Sequence, residues 1–508
     1  MLSNQESNMS VALSYQYLSS LAFVASGALF YIFIAKFLST SDVGTVSLLL
    51  AITGLLNILF SFSLPISAQH FISYYLGKGD HIEMYSITKR LIVISLLLSI
   101  GSIVFTLLMA RPIATLFFHS YKYTFLVETA SIFAAALIML GILHGSALGL
   151  QLFKTDAVVY ISSASLSYLV GFIFVLIFHS ILYLFIGLTL SYIWGSILYS
   201  VIIFAKKPLI RESSRKTPLS FIFSYSWPII LSSLIGYGSQ YVDRFVVAYF
   251  LDISTLGIYS FVLLISSSIG YFAGPIPNIL IPKLSEFFSL KDKERLRKGV
   301  NLASAVIVLI YAPISLGVAS IAPVVLSLLA RSVYGSGYVA LTILLGVSSI
   351  FVLGGMLSSV VYAIRRTRVY VLSASVTLLS NVILSFILIP KFGMVGAAIA
   401  NSSVGALSFV VLYYYAIVKE IGSFDWITIL KIWSSAVVMF IVVYAEGIIV
   451  GRSQDMLPLF IVTGAVTYLV SLNLTRSLGR FNREEFLSYV PIRFSIRQTV
   501  KIFLVRAF

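Results

Sequence analysis

The sequence predicts an all-α polytopic membrane protein: fourteen transmembrane helices, two parallel-repeat six-helix bundles around a central cavity, and two further C-terminal helices. Three observations carry that prediction. Of 508 residues, 59% are apolar and only 10% are charged, against about 25% charged in soluble domains. With a mean hydropathy of +1.03, a globular water-soluble enzyme is excluded. Apolar runs long enough to cross the bilayer, ~20 residues for ~30 Å of hydrocarbon, recur along the whole chain. Finally, the positive charges sort onto one side of the membrane.

In chain order the spans cover roughly 13–38, 43–66, 89–110, 124–150, 156–179, 181–205, 221–250, 254–278, 300–328, 336–362, 369–390, 394–418, 428–450 and 455–476. No basic n-region precedes the first run, and that run is long, so it reads as a retained span rather than a cleaved signal. With the N-terminus inside, the even-numbered gaps and the tail carry twenty-seven of the thirty-four Lys and Arg. The opposite side carries Lys36, Arg111, Lys122, Arg331, Lys391 and Arg452, while Arg244 lies within a span. This asymmetry places both termini in the cytoplasm, and the plasma membrane is the expected location. The net charge of +16 then reads as loops facing anionic membrane lipid, not as a nucleic-acid surface. The absence of cysteine excludes disulfides, zinc–thiolate and iron–sulfur sites, and a thiol nucleophile.

The chain repeats itself. Phe37-Leu38-Ser39-Thr40-Ser41-Asp42-Val43-Gly44 recurs 213 positions later as Phe250-Leu251-Asp252-Ile253-Ser254-Thr255-Leu256-Gly257. The same offset maps Ser73–Lys78 onto Glu286–Lys291. Six spans separate the copies, and an even number leaves both inserted the same way up, related by an axis along the membrane normal. The expected domains are an N-terminal bundle over 1–205, a cytoplasmic linker over 206–217 and a second bundle over 218–418. An extra helix pair over 428–476 and a basic amphipathic tail over 477–508 complete the chain.

Three stretches resemble the multidrug/oligosaccharidyl-lipid/polysaccharide exporter superfamily, most of all the Wzx-type polysaccharide and lipid-linked oligosaccharide flippases. They are Ala35–Leu38 with Asp42-Val43-Gly44; Tyr241–Phe245 with Leu256–Ser260; and Asn381–Leu384 with Leu388–Gly393 and Gly396–Ala400. The resemblance covers nearly the whole chain to about residue 476. It implies a V-shaped pair of bundles and transfer of an isoprenoid phosphate-linked glycan from the inner to the outer membrane face.

Ionisable groups inside spans are costly and usually face a cavity or a partner. The seventh span has the densest set. Ser233, Tyr237, Gln240, Tyr241 and Arg244 share a helix face, and Asp243 sits about 100° round from Arg244. Guanidinium and tyrosines on a wet face suit a phosphate and stacked sugars. The alternatives are that Arg244 snorkels to the interface, or that Asp243 and Arg244 tie the span to its neighbours. Lys36 is a second cation that either overlooks the cavity or snorkels. Gln16, Asn57, Gln69 and His70 are polar residues of the first two spans, which line the cleft in the resembled family. Each contacts cargo or hydrogen-bonds between helices. By these boundaries Asp243 is the only carboxylate well inside a span; Glu128 and Glu446 either take up protons for ion coupling or, the preferred reading, sit at external helix ends.

No GxxxxGK[ST] motif, GxSxG elbow or DxD pair is present, and no histidines approach metal-ligand spacing. The protein is therefore read as a transporter and not an enzyme, with no cofactor and no metal. Its energy would come from an ion gradient, the membrane potential or removal of product. A cation-coupled small-molecule antiporter of the same superfamily is the first alternative. A membrane glycosyltransferase or polymerase is the second, opposed by external loops of no more than about a dozen residues; a scaffold of a glycan-assembly complex is the third. Lys283–Lys298 and the tail around Arg493, Arg497 and Lys501 read as interfacial helices gripping lipid headgroups. They alternatively offer docking surfaces for glycan-assembly proteins at the cytoplasmic face.

Overall fold

The computed structural model describes residues 2–205, 217–273, 284–364 and 366–476, with side chains of the first helix described at Tyr15 and from residue 18 on. The expected tail, most of the 206–217 linker and the Gln16 side chain lie outside what is described. Among the described residues thirteen helices are long and apolar enough to cross a membrane. Their packing divides the chain into two compact units, Met1–Gly257 and Ile258–Phe508.

The first unit contains α1 (Leu2–Phe37), α2 (Thr40–Ser61), α3 (Leu64–Gly77), α4 (His81–Phe118), α5 (Thr124–Gly149) and α6 (Phe153–Tyr160). It continues through a π-helical turn over Ile161–Ser165, α7 (Leu166–Phe178), α8 (Ile181–Ala205) and α9 (Leu219–Phe250). The division falls after α9 rather than at the linker expected over 206–217, because α9 packs on α2, α3 and α4. The interior of the unit is mostly apolar, but one helix buries a stripe of small hydroxyl residues and exposes its leucines. On α4, Ser95, Ser99, Ser102 and Thr106 recur at three- and four-residue steps and are buried, while Leu97 and Leu108 are 62% and 70% exposed. Small hydroxyl residues let helices approach closely in lipid, where apolar side chains gain little by turning inward.

The second span is interrupted. Phe62 and Ser63 both take left-handed backbone conformations (φ 52° and 53°), and Pro65 fits at the start of the helix that follows. Gln69 and His70 therefore stand on a separate helix, α3, and not on the second span as expected. Leu64, Ala68, Phe71 and Ile72 anchor α3 in a core with Ile87, Leu91, Ile138, Ile142 and Ile222.

An ion pair fixes the start of α9. Glu83 Oε1 accepts from Arg90 Nη2 at 2.8 Å and from the Thr217 backbone N–H at 2.7 Å. Arg90 Nη1 donates to the Thr217 carbonyl at 2.6 Å, and the Tyr75 and Thr217 hydroxyls lie 2.8 Å apart. Glu83 is buried, whereas a quarter of the Arg90 side chain meets solvent. Arg90→Ala is expected to destabilise the protein by about 2 kcal/mol, less than the ~3–5 of a fully buried pair because Arg90 is partly solvated. Thermal unfolding in detergent measures this; an unchanged midpoint would show that the contact does not hold α9.

The repeat is visible in the caps. Ser39 and Asp42 form a reciprocal capping box at the start of α2. At the equivalent place Asp252 accepts from the Thr255 N–H at 3.0 Å and hydroxyl at 2.6 Å, opening α10 (Ile253–Gly270). Partial burial opposes ionisation of Asp252, but the Thr255 hydroxyl and neighbouring backbone N–H groups hold its carboxyl below the usual range. The two copies meet. A Cβ on Gly44 would lie 1.9 Å from the Ile253 carbonyl oxygen, and one on Gly257 would lie 2.0 Å from that of Thr40. The register shifts further along. Asp80 caps α4 through the Glu83 N–H, and Asp292 caps α11 (Lys293–Ser320) through the Arg295 N–H, both at 3.0 Å. Lys291 thus matches Gly79, both with positive φ, so the offset here is 212 and not the 213 expected.

The second unit holds the rest of α10, α11, α12 (Ala322–Leu329), α13 (Tyr338–Phe351) and α14 (Leu353–Ala363). It ends with α15 (Thr367–Tyr413), α16 (Trp426–Val450) and α17 (Leu457–Leu474). Leu284, Phe287 and Leu296 are buried in protein, and the turn at Lys291 splits the segment. From Leu284 on, the segment expected as an interfacial helix over 283–298 is thus two helical pieces, with Leu290 exposed between them. At 47 residues α15 is about twice a membrane crossing, but its backbone breaks at Gly393 (φ 56°, ψ −134°). The chain folds back there. A Cβ on Gly396 would lie 2.3 Å from the Leu388 carbonyl oxygen, and the Ser373 and Ser408 hydroxyls meet at 3.0 Å. The extra pair docks through Tyr468, whose hydroxyl donates to the Leu309 carbonyl at 2.9 Å, and Trp433, whose Nε1–H donates to Ser349 Oγ at 2.9 Å.

Candidate functional site

The expected face of the seventh span assembles within the first unit. Tyr237 and Tyr241, one helical turn apart on α9, stack with ring centroids 4.3 Å apart and planes 13° from parallel. The Arg244 guanidinium lies 4.3 Å over the Tyr241 ring, so tyrosine, tyrosine and arginine form one column. α2 holds the column from behind. Tyr237 donates its hydroxyl to the Ala51 carbonyl at 2.5 Å, and its ring fills the space that a side chain at Gly54 would take. Tyr31 of α1 and buried Ser47 of α2 close the far side, Tyr31 interacting with both Ser47 and Arg244.

The electrostatics are unbalanced. Asp243 is fully buried, and its Oδ1 accepts from the Arg244 backbone N–H at 2.9 Å. The carboxylate also acts on the guanidinium electrostatically. Arg244 Nε is shielded from solvent and has no hydrogen-bond partner among the described residues. A buried guanidinium N–H without an acceptor is costly, and an anionic ligand would satisfy it. The residue as a whole is half-buried, with its guanidinium over the Tyr241 ring.

The other expected residues scatter. Gln240 is exposed beside the column, Asn57 is half-buried on α2 one turn beyond Gly54, and Lys36 is exposed in the last turn of α1. Gln69 and His70 are exposed on α3. His70 stacks on Tyr225 of α9 with centroids 4.7 Å apart and planes 10° from parallel, and Trp227 is 54% exposed close by. This aromatic platform was missed in sequence because His70 and Tyr225 are 155 positions apart; the Trp227-Pro228 pair was its visible signal. Also missed were the carboxylates. Asp156 and Glu83 are buried like Asp243, although each stands in the first turn of its helix. Predicted span boundaries a few residues off had left both at the interface. Among the described residues no group of three or more His, Asp or Glu is placed to hold a metal ion.

A family profile described as "Polysaccharide biosynthesis protein" matches residues 8–288, which include every residue of this face. The chain belongs to that family. Among its relatives, a probable low-salt glycan biosynthesis flippase, Agl15, of Haloferax volcanii is 21% identical over 312 residues, 60% of this chain. The capsular polysaccharide biosynthesis protein CapF of Staphylococcus aureus is 27% identical over 201 residues, 38% of this chain. The matches span 63% and 49% of those two relatives. In three dimensions the chain is similar to the lipid II flippase MurJ in an inward closed conformation. The TM-score is 0.72 at 17% identity, covering 92% of this chain and all of that one. An inward-facing multidrug resistance transporter of the MATE family superposes with a TM-score of 0.64 at 14% identity, over 80% of this chain and 98% of the other. The multi-pass exporter fold implied by the sequence resemblance is thus the fold of the molecule.

Proposed function

We propose that this family member moves a polyprenyl phosphate- or pyrophosphate-linked oligosaccharide from the inner to the outer face of the plasma membrane by alternating access, for cell-surface polysaccharide or glycoprotein assembly. The observation that carries the reading is the α9 column. It offers a shielded, unsatisfied guanidinium N–H for phosphate at one end. Stacked tyrosines continue it, and the exposed Tyr225 and Trp227 rings lie further along α9 for sugar faces. Membrane burial makes such a path necessary, since each unsatisfied sugar hydroxyl in hydrocarbon costs several kcal/mol. The lipid tail stays in the bilayer, which the exposed apolar flanks of the helices already meet. The chain does this without catalysis, its basic gaps and both termini on the cytoplasmic side, where glycan-assembly proteins dock.

The test is reconstitution into liposomes with a fluorescent polyprenyl-pyrophosphate glycan, scoring transfer between leaflets by quenching. Transfer above protein-free liposomes is expected. Export of small cationic drugs with no glycan transfer would instead favour a cation-coupled antiporter, a reading that the buried Asp156 and Glu83 support.

A further inference from the structure

We propose that His144, Asp156 and Tyr199 form a proton-binding site that couples the cycle of this transporter to the proton gradient; the coupling role rests on the transport reading above. The site lies away from the α9 column, where α5, α6 and α8 converge. His144 Nδ1 and Asp156 Oδ1 are 2.7 Å apart, and Tyr199 donates its hydroxyl to the same carboxylate oxygen at 2.7 Å. The Asp156 and Tyr199 side chains are buried, while 27% of the His144 side chain is exposed. The carboxylate therefore has no direct route to water, and the outer edge of the imidazole is its link to solvent. With Nδ1 held by Asp156, Nε2 is the position left for exchange.

The chemistry is a single reversible proton transfer. When the imidazole takes a proton from solvent, the pair is imidazolium and carboxylate, with no net charge. When Nε2 returns the proton to solvent, one negative charge remains in a pocket shielded from water, which burial opposes. The pocket then favours whichever arrangement of helices brings the carboxylate another donor. Among the described residues, His144, Tyr160 and Tyr199 are titratable groups that act on Asp156. Tyr168 and Tyr192 lie behind Tyr160, and the exposed Lys154 stands on the opposite side of the first turn of α6.

Two features suit this site to coupling. The π-helical turn Ile161–Ser165 continues α6 about one and a half turns after Asp156, and such turns inside α-helices are frequent at functional sites. A continuous set of aromatic contacts also leads from the site to the α9 column. His144 meets Tyr160 at 4.7 Å, Tyr160 meets Phe23 at 5.8 Å, and Phe23 meets Tyr168 at 5.9 Å. Tyr168 meets Phe30 at 4.9 Å, Phe30 meets Tyr31 at 5.6 Å, and Tyr31 interacts with Arg244. Packed contacts of this kind carry energetic coupling when the elements have two arrangements.

The chain has no cysteine, so two introduced cysteines report alone. With spin labels at the exposed Tyr121 and Val333, the distance distribution of the intact protein in nanodiscs is measured at about pH 5.5 and about pH 8. The wild type is expected to shift between the two. His144→Gln and Asp156→Asn, checked for monodispersity, are each expected to lose at least about four-fifths of that shift, as removal of the titrating pair requires. Glu128→Gln should keep it. In liposomes, an imposed pH gradient should change the rate of fluorescent glycan transfer in the wild type and in neither variant. Wild-type-sized shifts in both variants, or no shift in the wild type, would overturn the proton site. Gradient-dependent transfer in both variants would overturn its coupling role. A pH response lost in the variants, with no glycan transfer by any of them, would leave the proton site standing and remove the transport reading instead.

Discussion

Arg244→Ala is expected to lower the initial rate of glycan transfer at least about tenfold, since charge-assisted hydrogen bonds to phosphate contribute ~1.5–3 kcal/mol and 1.4 kcal/mol is tenfold. Arg244→Lys should recover only part of the loss. A lysine keeps the charge, but it lacks the planar fork that grips phosphate oxygens in pairs and the flat face that lies over Tyr241. The variant has a second consequence to separate out. Without the guanidinium, the buried Asp243 loses its compensating charge, and the protein would weaken for that reason alone. The double variant Asp243→Asn with Arg244→Ala distinguishes the two. If Arg244 serves only to neutralise Asp243, the double variant should transport like the wild type. If Arg244 meets cargo, it should regain thermal stability and stay inactive. Wild-type transfer by Arg244→Ala and Arg244→Lys at equal protein level would remove Arg244 from the cargo path.

Much of this molecule could be read from one strand of text because lipid simplifies the code. A span has to be apolar for its whole length, so the helices from α1 to α17 show as runs, and the fold-back in α15 shows as Pro390 and Gly393 between two of them. The repeat was legible too, because Phe37–Gly44 returns 213 positions on, while the caps that Ser39–Asp42 and Asp252–Thr255 form there came from the structure. The α9 column obeyed helical spacing, so Tyr237, Tyr241 and Arg244 could be put on one face before any coordinates. What could not be read was every pairing between helices. Glu83 finds Thr217 across 134 positions, and Tyr199 finds Asp156 across 43. Both acids sit a few residues inside helix ends, where hydropathy alone does not tell a buried carboxylate from an interfacial one. The break at Phe62 and Ser63 was equally silent. Neither residue favours a left-handed conformation in isolation, so tertiary packing of α3 has imposed it.

The second large effect is expected at the glycine pair of the repeat. Gly44→Ala should drive its methyl group into the Ile253 carbonyl, and Gly257→Ala should do the same to Thr40, because added Cβ atoms would stand 1.9 Å and 2.0 Å from those oxygens. Both obstacles are backbone at helix starts, so neither can move aside as a flexible side chain would. The Thr40 and Ser254 hydroxyls, 2.5 Å apart, tie the same turn and would be pulled apart as well. Each substitution is expected to cost about 2–3 kcal/mol, the upper part of the range for overpacking, and to lower the unfolding midpoint accordingly. Gly77→Ala, with nothing within 4 Å of the new methyl, should leave the midpoint unchanged or raise it slightly. The two repeat variants act on one shared contact. Their combination should therefore cost clearly less than the sum of the singles, the mark of coupled sites. Strict additivity would mean that the two copies of the motif do not meet. Retained glycan transfer in both single variants would show that this close approach matters to stability alone and that helix movement during transport does not pass through it.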